Sequence, residues 1–289
     1  MLGEIMKYHK LSLSKVEAIT GLDRSTISLL RAKKYNGNRE LELQAVEKLK
    51  EAGYEVPKFV RLTVKPDVFV TTENVVQFQA LCDELRSTDL TSSFGIVSGR
   101  AGRGKTRTAI WYAVQNPQDA VYVLYIDGMS IPQLAREICY EVTGLRPRSF
   151  YDCLIEIEKT TRLKRKLILI DEADKMPKKY IEMLRGFNER CMCPVVLIGE
   201  ETITSKLDEE RRLKSRVRRI VNFEPLSVSD VVTFYQMSIG IDIEPSVAVL
   251  LWERAKGDFR VVVRDAYSVV RILNANETVE LTAEMVSRL

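Results

Sequence analysis

The sequence predicts an α/β fold, a parallel sheet flanked by helices with a helical C-terminal portion, preceded by a small all-α module. Three observations carry this. From about Glu73 to Phe223, short apolar runs alternate with amphipathic stretches, as expected for strands buried on both faces and joined by helices. After Pro225 the apolar runs stop and only helical periodicity continues. Ahead of residue 54 the pattern is one of short helices separated by tight turns. The predicted divisions are therefore 1–53, a linker at 54–72, an α/β core at 73–225 and a helical portion at 226–289.

The elements follow in order. In the first module, Val16 and Ile19 precede a turn at Gly21-Leu22, and Ile27 and Leu30 follow it; this spacing predicts a helix-turn-helix with glycine at the turn. Pro57, Pro66 and a Val/Thr-rich stretch read as a linker. Candidate strands are Phe94–Ser98, Val121–Ile126, Leu167–Ile170, Val195–Ile198 and Ile220–Phe223. A helix is expected at Arg107–Val114, and later ones near Ser229–Ile239, Pro245–Lys256 and Phe259–Asn274. Pro245 suits a first helical turn and Gly257 a C-terminal cap.

Composition excludes several classes. With 289 residues, 45% hydrophobic and 29% charged, the chain has the balance of a globular protein. No apolar run reaches the ~18 residues of a membrane span. Met1–Lys10 lacks an apolar core, so no secretory signal is expected and a cytoplasmic location is. The five cysteines include a CxC at Cys191 and Cys193, but His9 is the only histidine, so zinc and histidine-based triad chemistry lack ligands and a base. The formal charge is +4. Residues 1–60 hold 11 Lys/Arg against 8 Asp/Glu, so most of that excess lies in the first fifth of the chain.

Residues Gly99-Arg100-Ala101-Gly102-Arg103-Gly104-Lys105-Thr106 spell GxxxxGKT between a predicted strand and a predicted helix. Glycines there let the backbone N–H groups turn inward, and together with the helix N-terminus they bind phosphate oxygens. Gly99 to Arg107 are thus the candidate nucleotide-binding residues, with ATP and Mg²⁺ as the implied cofactors. Lys105 reaches the β and γ phosphates, and the Thr106 hydroxyl ligates Mg²⁺. Leu167–Ile170 then delivers Asp171 and Glu172. Asp171 joins the Mg²⁺ shell and Glu172 polarises the attacking water. The literal Asp171-Glu-Ala-Asp174 string is also that of RNA helicases, but those need a second RecA-like lobe, and the residues after Asp174 read as helical.

Further along, the predicted strand Val195–Ile198 ends in Gly199-Glu200, where a polar residue meets the γ-phosphate or the water. The basic run Arg211–Arg219 places Arg216 as an arginine finger for a neighbouring subunit, although such a run also occurs as a solvated helix end. Arg260, opening a late helix, is placed to reach back onto the γ-phosphate. In this order the motifs resemble those of AAA+ ATPases over about Glu73 to Leu289: a P-loop, an acidic strand end, a sensor, a finger and a helical lid. The family usually has Asn, Ser or Thr at the sensor where Glu200 stands, which implies slow hydrolysis or a different sensor residue.

In the N-terminal module, Arg24, Ser25 and Thr26 open the second helix, where they meet base edges or phosphates, and Lys33 and Lys34 suit phosphate contacts. A helical bundle that binds protein fits the same pattern. The pairing of this module with an AAA+ core resembles the target-DNA activators of Mu-like transposing phages. Lys34-Tyr-Asn-Gly37, Gly99–Thr106, Ile170–Asp174, Leu197–Gly199, Ser215-Arg216 and Gly257–Arg260 carry that resemblance. It implies an ATP-dependent homo-oligomer, a helical filament on double-stranded DNA without strong sequence preference, which presents that DNA to a transposase. Arg146, Arg148, Lys175, Lys178 and Lys179 are the basic residues such a filament could turn toward DNA. A helicase loader or replication initiator, and an ATP-controlled helix-turn-helix regulator, remain as alternatives.

Overall fold

The computed structural model describes all residues except 33, 36, 38–39, 56–58, 88–93, 163 and 209–213. The chain divides into two compact units, Met1–Arg61 and Leu62–Leu289.

Among the described residues the first unit contains α1 (Leu2–Tyr8), α2 (Leu13–Thr20), α3 (Arg24–Arg31) and α4 (Glu40–Glu51). Ser12 caps α2, which ends at Gly21 in the left-handed conformation; Asp23 caps α3 by accepting the Thr26 N–H at 2.9 Å. Leu2, Val16, Ile27, Leu30 and Leu49 form its dry centre. His9 is half-buried, with Nε2 at 3.0 Å from the Glu55 carbonyl and its ring edge-on to Tyr8 and Tyr54.

The second unit begins with α5 (Glu73–Ser87) and builds a five-stranded sheet from β1 (Phe94–Ser98), β2 (Ala120–Leu124), β3 (Leu167–Asp171), β4 (Val195–Ile198) and β5 (Val217–Asn222). All described pairings are parallel and the order is β2-β3-β4-β1-β5. Successive side chains of a strand face opposite ways, and both faces are covered. Ile96, Ile168, Ile170 and Leu197 pack against α7 (Ile131–Thr143), α8 (Phe150–Thr161) and α9 (Lys178–Cys191). Val97, Leu169, Val196 and Val221 pack against α5 and α6 (Lys105–Gln115). A short α10 (Thr202–Asp208) follows β4. The helical portion comprises α11 (Val228–Ser238), α12 (Pro245–Ala255), α13 (Phe259–Ala275) and α14 (Ala283–Ser287) around their own core.

Several boundaries differ from the sequence reading, and three of the differences have a clear physical reason. Strand β2 stops at Leu124 because Ile126 opens a turn, its carbonyl accepting the Met129 N–H. Strand β5 starts at Val217 rather than Ile220: it is an edge strand, and exposed Arg218 and Arg219 obscured it as an apolar run. The expected linker 54–72 belongs, in its second half, to the second unit. Val70 is buried among the C-terminal helices, with Leu62, Val64 and Val68 packed against them. The Asn274 side chain exchanges two hydrogen bonds with the Leu62 backbone, at 2.8 and 3.0 Å. Pro66 does not prevent this, since a strap lying on helices needs no ladder N–H at that position.

All five cysteines are buried and unpaired. Burial pushes the Cys191 thiol up to about 12, which keeps it protonated and inert at neutral pH.

Candidate nucleotide site

A cavity of about 640 Å³ opens where β1, β3 and β4 end, walled by the strap 64–72, the loop before α6, and α13. Parallel strands place their C-terminal ends together, so residues distant in sequence meet there.

The loop between β1 and α6 provides the floor. Gly102 and Gly104 have φ of +80° and +91°, which other residues rarely adopt. A side chain at Gly102 would also collide with the Asp258 carboxylate. Lys105, only 9% exposed, donates from Nζ to the carbonyls of Gly99 at 2.5 Å and Arg100 at 3.0 Å. Burial lowers its pKa, and the carboxylates of Glu200, Asp171, Asp174 and Glu172 oppose that shift. Thr106 lines the cavity wall, as do Ala101, Gly102, Arg103, Gly104 and Arg107. Gly99 and Arg100 serve Lys105 with their carbonyls, while the Arg100 side chain pairs with Glu201 at 3.5 Å.

Asp171, 2% exposed, accepts hydrogen bonds from the Tyr122 hydroxyl and the Glu172 N–H, both at 2.9 Å. Burial first, and the Asp171 charge second, raise the Tyr122 pKa, so its hydroxyl stays a donor. One partner on each oxygen fixes the carboxylate and leaves lone pairs for a cation. Among the described residues no group of three or more His, Cys, Asp or Glu could hold a metal alone. The Thr106 hydroxyl and Asp171 carboxylate are the hard oxygen donors that suit Mg²⁺, which takes few protein ligands and completes its shell with phosphate and water. Glu172 has left-handed φ 58°, and its carboxylate lies 2.6 Å from Lys175 Nζ. That contact raises the Lys175 pKa. Glu200 lies on the cavity wall beside Gly199.

The helical portion closes the cavity. The Phe259 N–H donates to the Gly102 carbonyl at 2.9 Å, and Arg103 Nη1 donates to the Lys256 carbonyl at 3.0 Å. Asp258 caps α13 by accepting the Arg260 N–H at 2.7 Å. Arg260, Phe259, Val263 and Tyr267 thus line the cavity. On the strap, Phe69 stacks on Trp111 at 4.6 Å, and Arg107 Nη2 reaches the carbonyls of Pro66 and Val68 at 3.3 and 3.4 Å.

The structure thus brings Lys105, Thr106, Asp171, Glu172, Glu200 and Arg260 to one cavity. It does not bring Arg216 there. That guanidinium forms an ion pair with Glu189 on α9, outside the cavity wall. Of the basic residues proposed for DNA, Lys175, Lys178 and Lys179 follow the acidic turn, with Lys179 5.6 Å from the Tyr180 ring centroid. Arg146 lies over Tyr140 at 4.2 Å and pairs with Glu137 at 3.0 Å, and Arg148 is exposed between α7 and α8. In the first unit, Arg24 pairs with Glu17 at 2.7 Å, while Ser25 and Thr26 donate to Asp23. These bonds lower the Asp23 pKa. Lys34 is exposed; Lys33 lies outside the described residues.

Sequence reasoning missed Tyr122, Asp258 and the strap. The Asp258 signal was present, an acid one residue before a helix, as at any N-cap.

Residues 88–207 match the AAA domain family. Over 238 residues the chain is 25% identical to the ATP-dependent target DNA activator B of Escherichia phage Mu, covering 80% of this chain and 74% of that protein, and the same figures hold for the activator of phage D108. Among solved structures, the Holliday junction branch migration motor RuvB of Thermotoga maritima superposes with a TM-score of 0.53 at 19% identity, over 80% of this chain and 72% of that one. The ORC2 protein of Aeropyrum pernix gives a TM-score of 0.57 at 15% identity, over 80% and 70%. The chain therefore has the P-loop AAA+ fold, is similar to the AAA domain family over residues 88–207 and, over 80% of its length, resembles the target DNA activators of phages Mu and D108.

Proposed function

We propose that this chain is a Mg²⁺-dependent ATPase that assembles with ATP into helical oligomers on double-stranded DNA, without strong sequence preference, and delivers that DNA to a transposase. The observation that carries the nucleotide chemistry is the convergence of Lys105, Thr106, Asp171, Glu172 and Arg260 on one cavity. The likeness to target DNA activators along most of the chain supports the DNA and transposase parts.

The chemistry follows from the side chains. Loop N–H groups and the Lys105 ammonium hold the triphosphate, and Thr106 and Asp171 supply oxygens to the cation. Bound there, Mg²⁺ would neutralise phosphate charge that builds during transfer. Glu172 takes a proton from water as the water attacks; such base catalysis is worth about 10²–10⁴-fold. For that the Glu172 carboxylate must leave Lys175, and an exposed ion pair of this kind contributes only about 0–1 kcal/mol. Arg260 joins the lid to the phosphates. Arg216, remote from its own cavity, acts on the site of a neighbouring copy, which couples nucleotide state to assembly. Glu200 adds negative charge beside the γ-phosphate position and slows turnover, so the site holds ATP longer than it hydrolyses it.

Footprinting on a long duplex tests this reading. Continuous protection that appears only with ATP, and weakens steeply with salt as phosphate contacts require, is the expected result. A single discrete footprint would instead identify a sequence-specific regulator.

A further inference from the structure

The turn that carries Glu172 is held by a residue that no motif marks. Lys206, on α10, donates from Nζ to the backbone carbonyls of Asp174 and Met176, the latter at 3.0 Å. Both carbonyls belong to the turn 172–176 between β3 and α9. Ala173 and Met176 anchor that turn in the core, but its backbone has few bonds of its own. Glu172 is a non-glycine residue at φ 58° and ψ 29°, followed by a 3₁₀ segment of three residues, Ala173–Lys175. Its internal backbone bonds run from the Lys175 N–H to the Glu172 carbonyl and from the Met176 N–H to the Ala173 carbonyl, each at 3.1 Å. A left-handed non-glycine residue persists only where its surroundings over-determine it.

A second contact comes from the same segment as Lys206. A Cβ placed on Gly199 would lie 2.5 Å from Asp174 Oδ1 and 2.9 Å from the Asp174 nitrogen. The Gly199 backbone therefore packs directly on the turn. Asp174 Oδ1 is buried without a hydrogen-bond partner among the described residues, so this contact is steric rather than bonded. Gly199 itself is fixed by its N–H to the Val97 carbonyl of β1, at 3.0 Å. The turn is thus packed against by Gly199 and tied by Lys206.

We infer that Lys206 is a positioning residue for ATP hydrolysis: through the carbonyls of Asp174 and Met176 it holds the 172–176 turn against Gly199 and so fixes where the Glu172 carboxylate stands over the cavity. It touches neither nucleotide nor water. The inference rests on the ATPase reading above, and its effect falls on kcat, because the groups that bind the phosphates stand on a different loop.

The test compares wild type with K206M, K206R and G199A, using steady-state ATP hydrolysis and hydrogen exchange of the nucleotide-free full chain. K206M is expected to lose at least tenfold in kcat with KM for ATP within twofold. K206R, which keeps donors for both carbonyls, recovers most of the loss. G199A displaces the turn without removing Lys206 and gives the same kcat-selective loss. In the nucleotide-free K206M protein, the Lys175 and Met176 amides exchange at least tenfold faster while β3 and β4 amides are unchanged. A K206M protein with wild-type kcat, or one whose kcat and KM fall together with melting temperature, overturns the inference. Wild-type exchange at Lys175 and Met176 overturns it as well, and does so whether or not the chain hydrolyses ATP. Absence of hydrolysis in wild type, with exchange altered as stated, counts instead against the ATPase reading.

Discussion

Replacing Lys105 by alanine removes a buried ammonium from the floor of the cavity. In the structure that ammonium already has two acceptors, the Gly99 and Arg100 carbonyls at 2.5 and 3.0 Å, so phosphate must draw it away from them. Hydrogen bonds to charged groups contribute about 1.5–3 kcal/mol each. Two bonds to phosphate oxygens, taken at the lower end because two carbonyl contacts are given up, leave about 3 kcal/mol, or on the order of 100-fold in Kd. The fold should tolerate the change, since the two carbonyls lie at the cavity and water can serve them. Titration calorimetry with Mg²⁺ and a non-hydrolysable ATP analogue measures the affinity, and a melting curve checks the fold. Because ATP is proposed to build the oligomer, DNA coating should disappear with affinity. An affinity within threefold of wild type would refute the role given to Lys105. DNA coating that survives in K105A without nucleotide would refute the coupling of ATP to assembly.

Three further expectations follow from the same geometry. E172Q keeps the turn and its backbone bonds but cannot accept the proton, so hydrolysis should fall about 10²–10⁴-fold while ATP stays bound; assemblies that dissociate as fast as wild type would count against Glu172 as the base. Burial holds the Lys105 pKa below the usual lysine value, and phosphate binding needs its charged form. ATP affinity should therefore be full below that lowered pKa and decline as pH rises through it, with protons taken up on binding at alkaline pH, and calorimetry in two buffers of different ionisation enthalpy reads that uptake. N274A removes both bonds to the Leu62 backbone, each worth about 0.5–1.5 kcal/mol, so unfolding should cost about 1–3 kcal/mol less by urea denaturation; an unchanged midpoint would mean that the strap is held by Val70 and its apolar neighbours alone.

What could be read from the sequence was what is contiguous in it. The run Gly99–Thr106 states its own geometry, because the glycines, the lysine and the following helix are local to one loop. Asp171-Glu172 at the end of an apolar strand is equally local, and parallel pairing of that strand with its neighbours brings it beside the loop. The contacts that were not legible span long stretches of chain. Leu62 meets Asn274 across 212 positions, and nothing in either segment announces the other. Tyr122 reaches Asp171 only because β2 and β3 pair in one particular register. Arg24, Ser25 and Thr26 did open a helix, but their residue types, read as DNA contacts, also serve local bonds to Glu17 and Asp23. Strand β5 was partly hidden because an edge strand tolerates charge that a central strand does not.

Electron microscopy of the full chain on linear duplex DNA, with and without a non-hydrolysable ATP analogue, tests the central claim most directly. The account predicts continuous helical coats on the DNA with the analogue and bare duplex without it. Coats of equal length in both conditions, or isolated particles on DNA at saturating analogue, would contradict it.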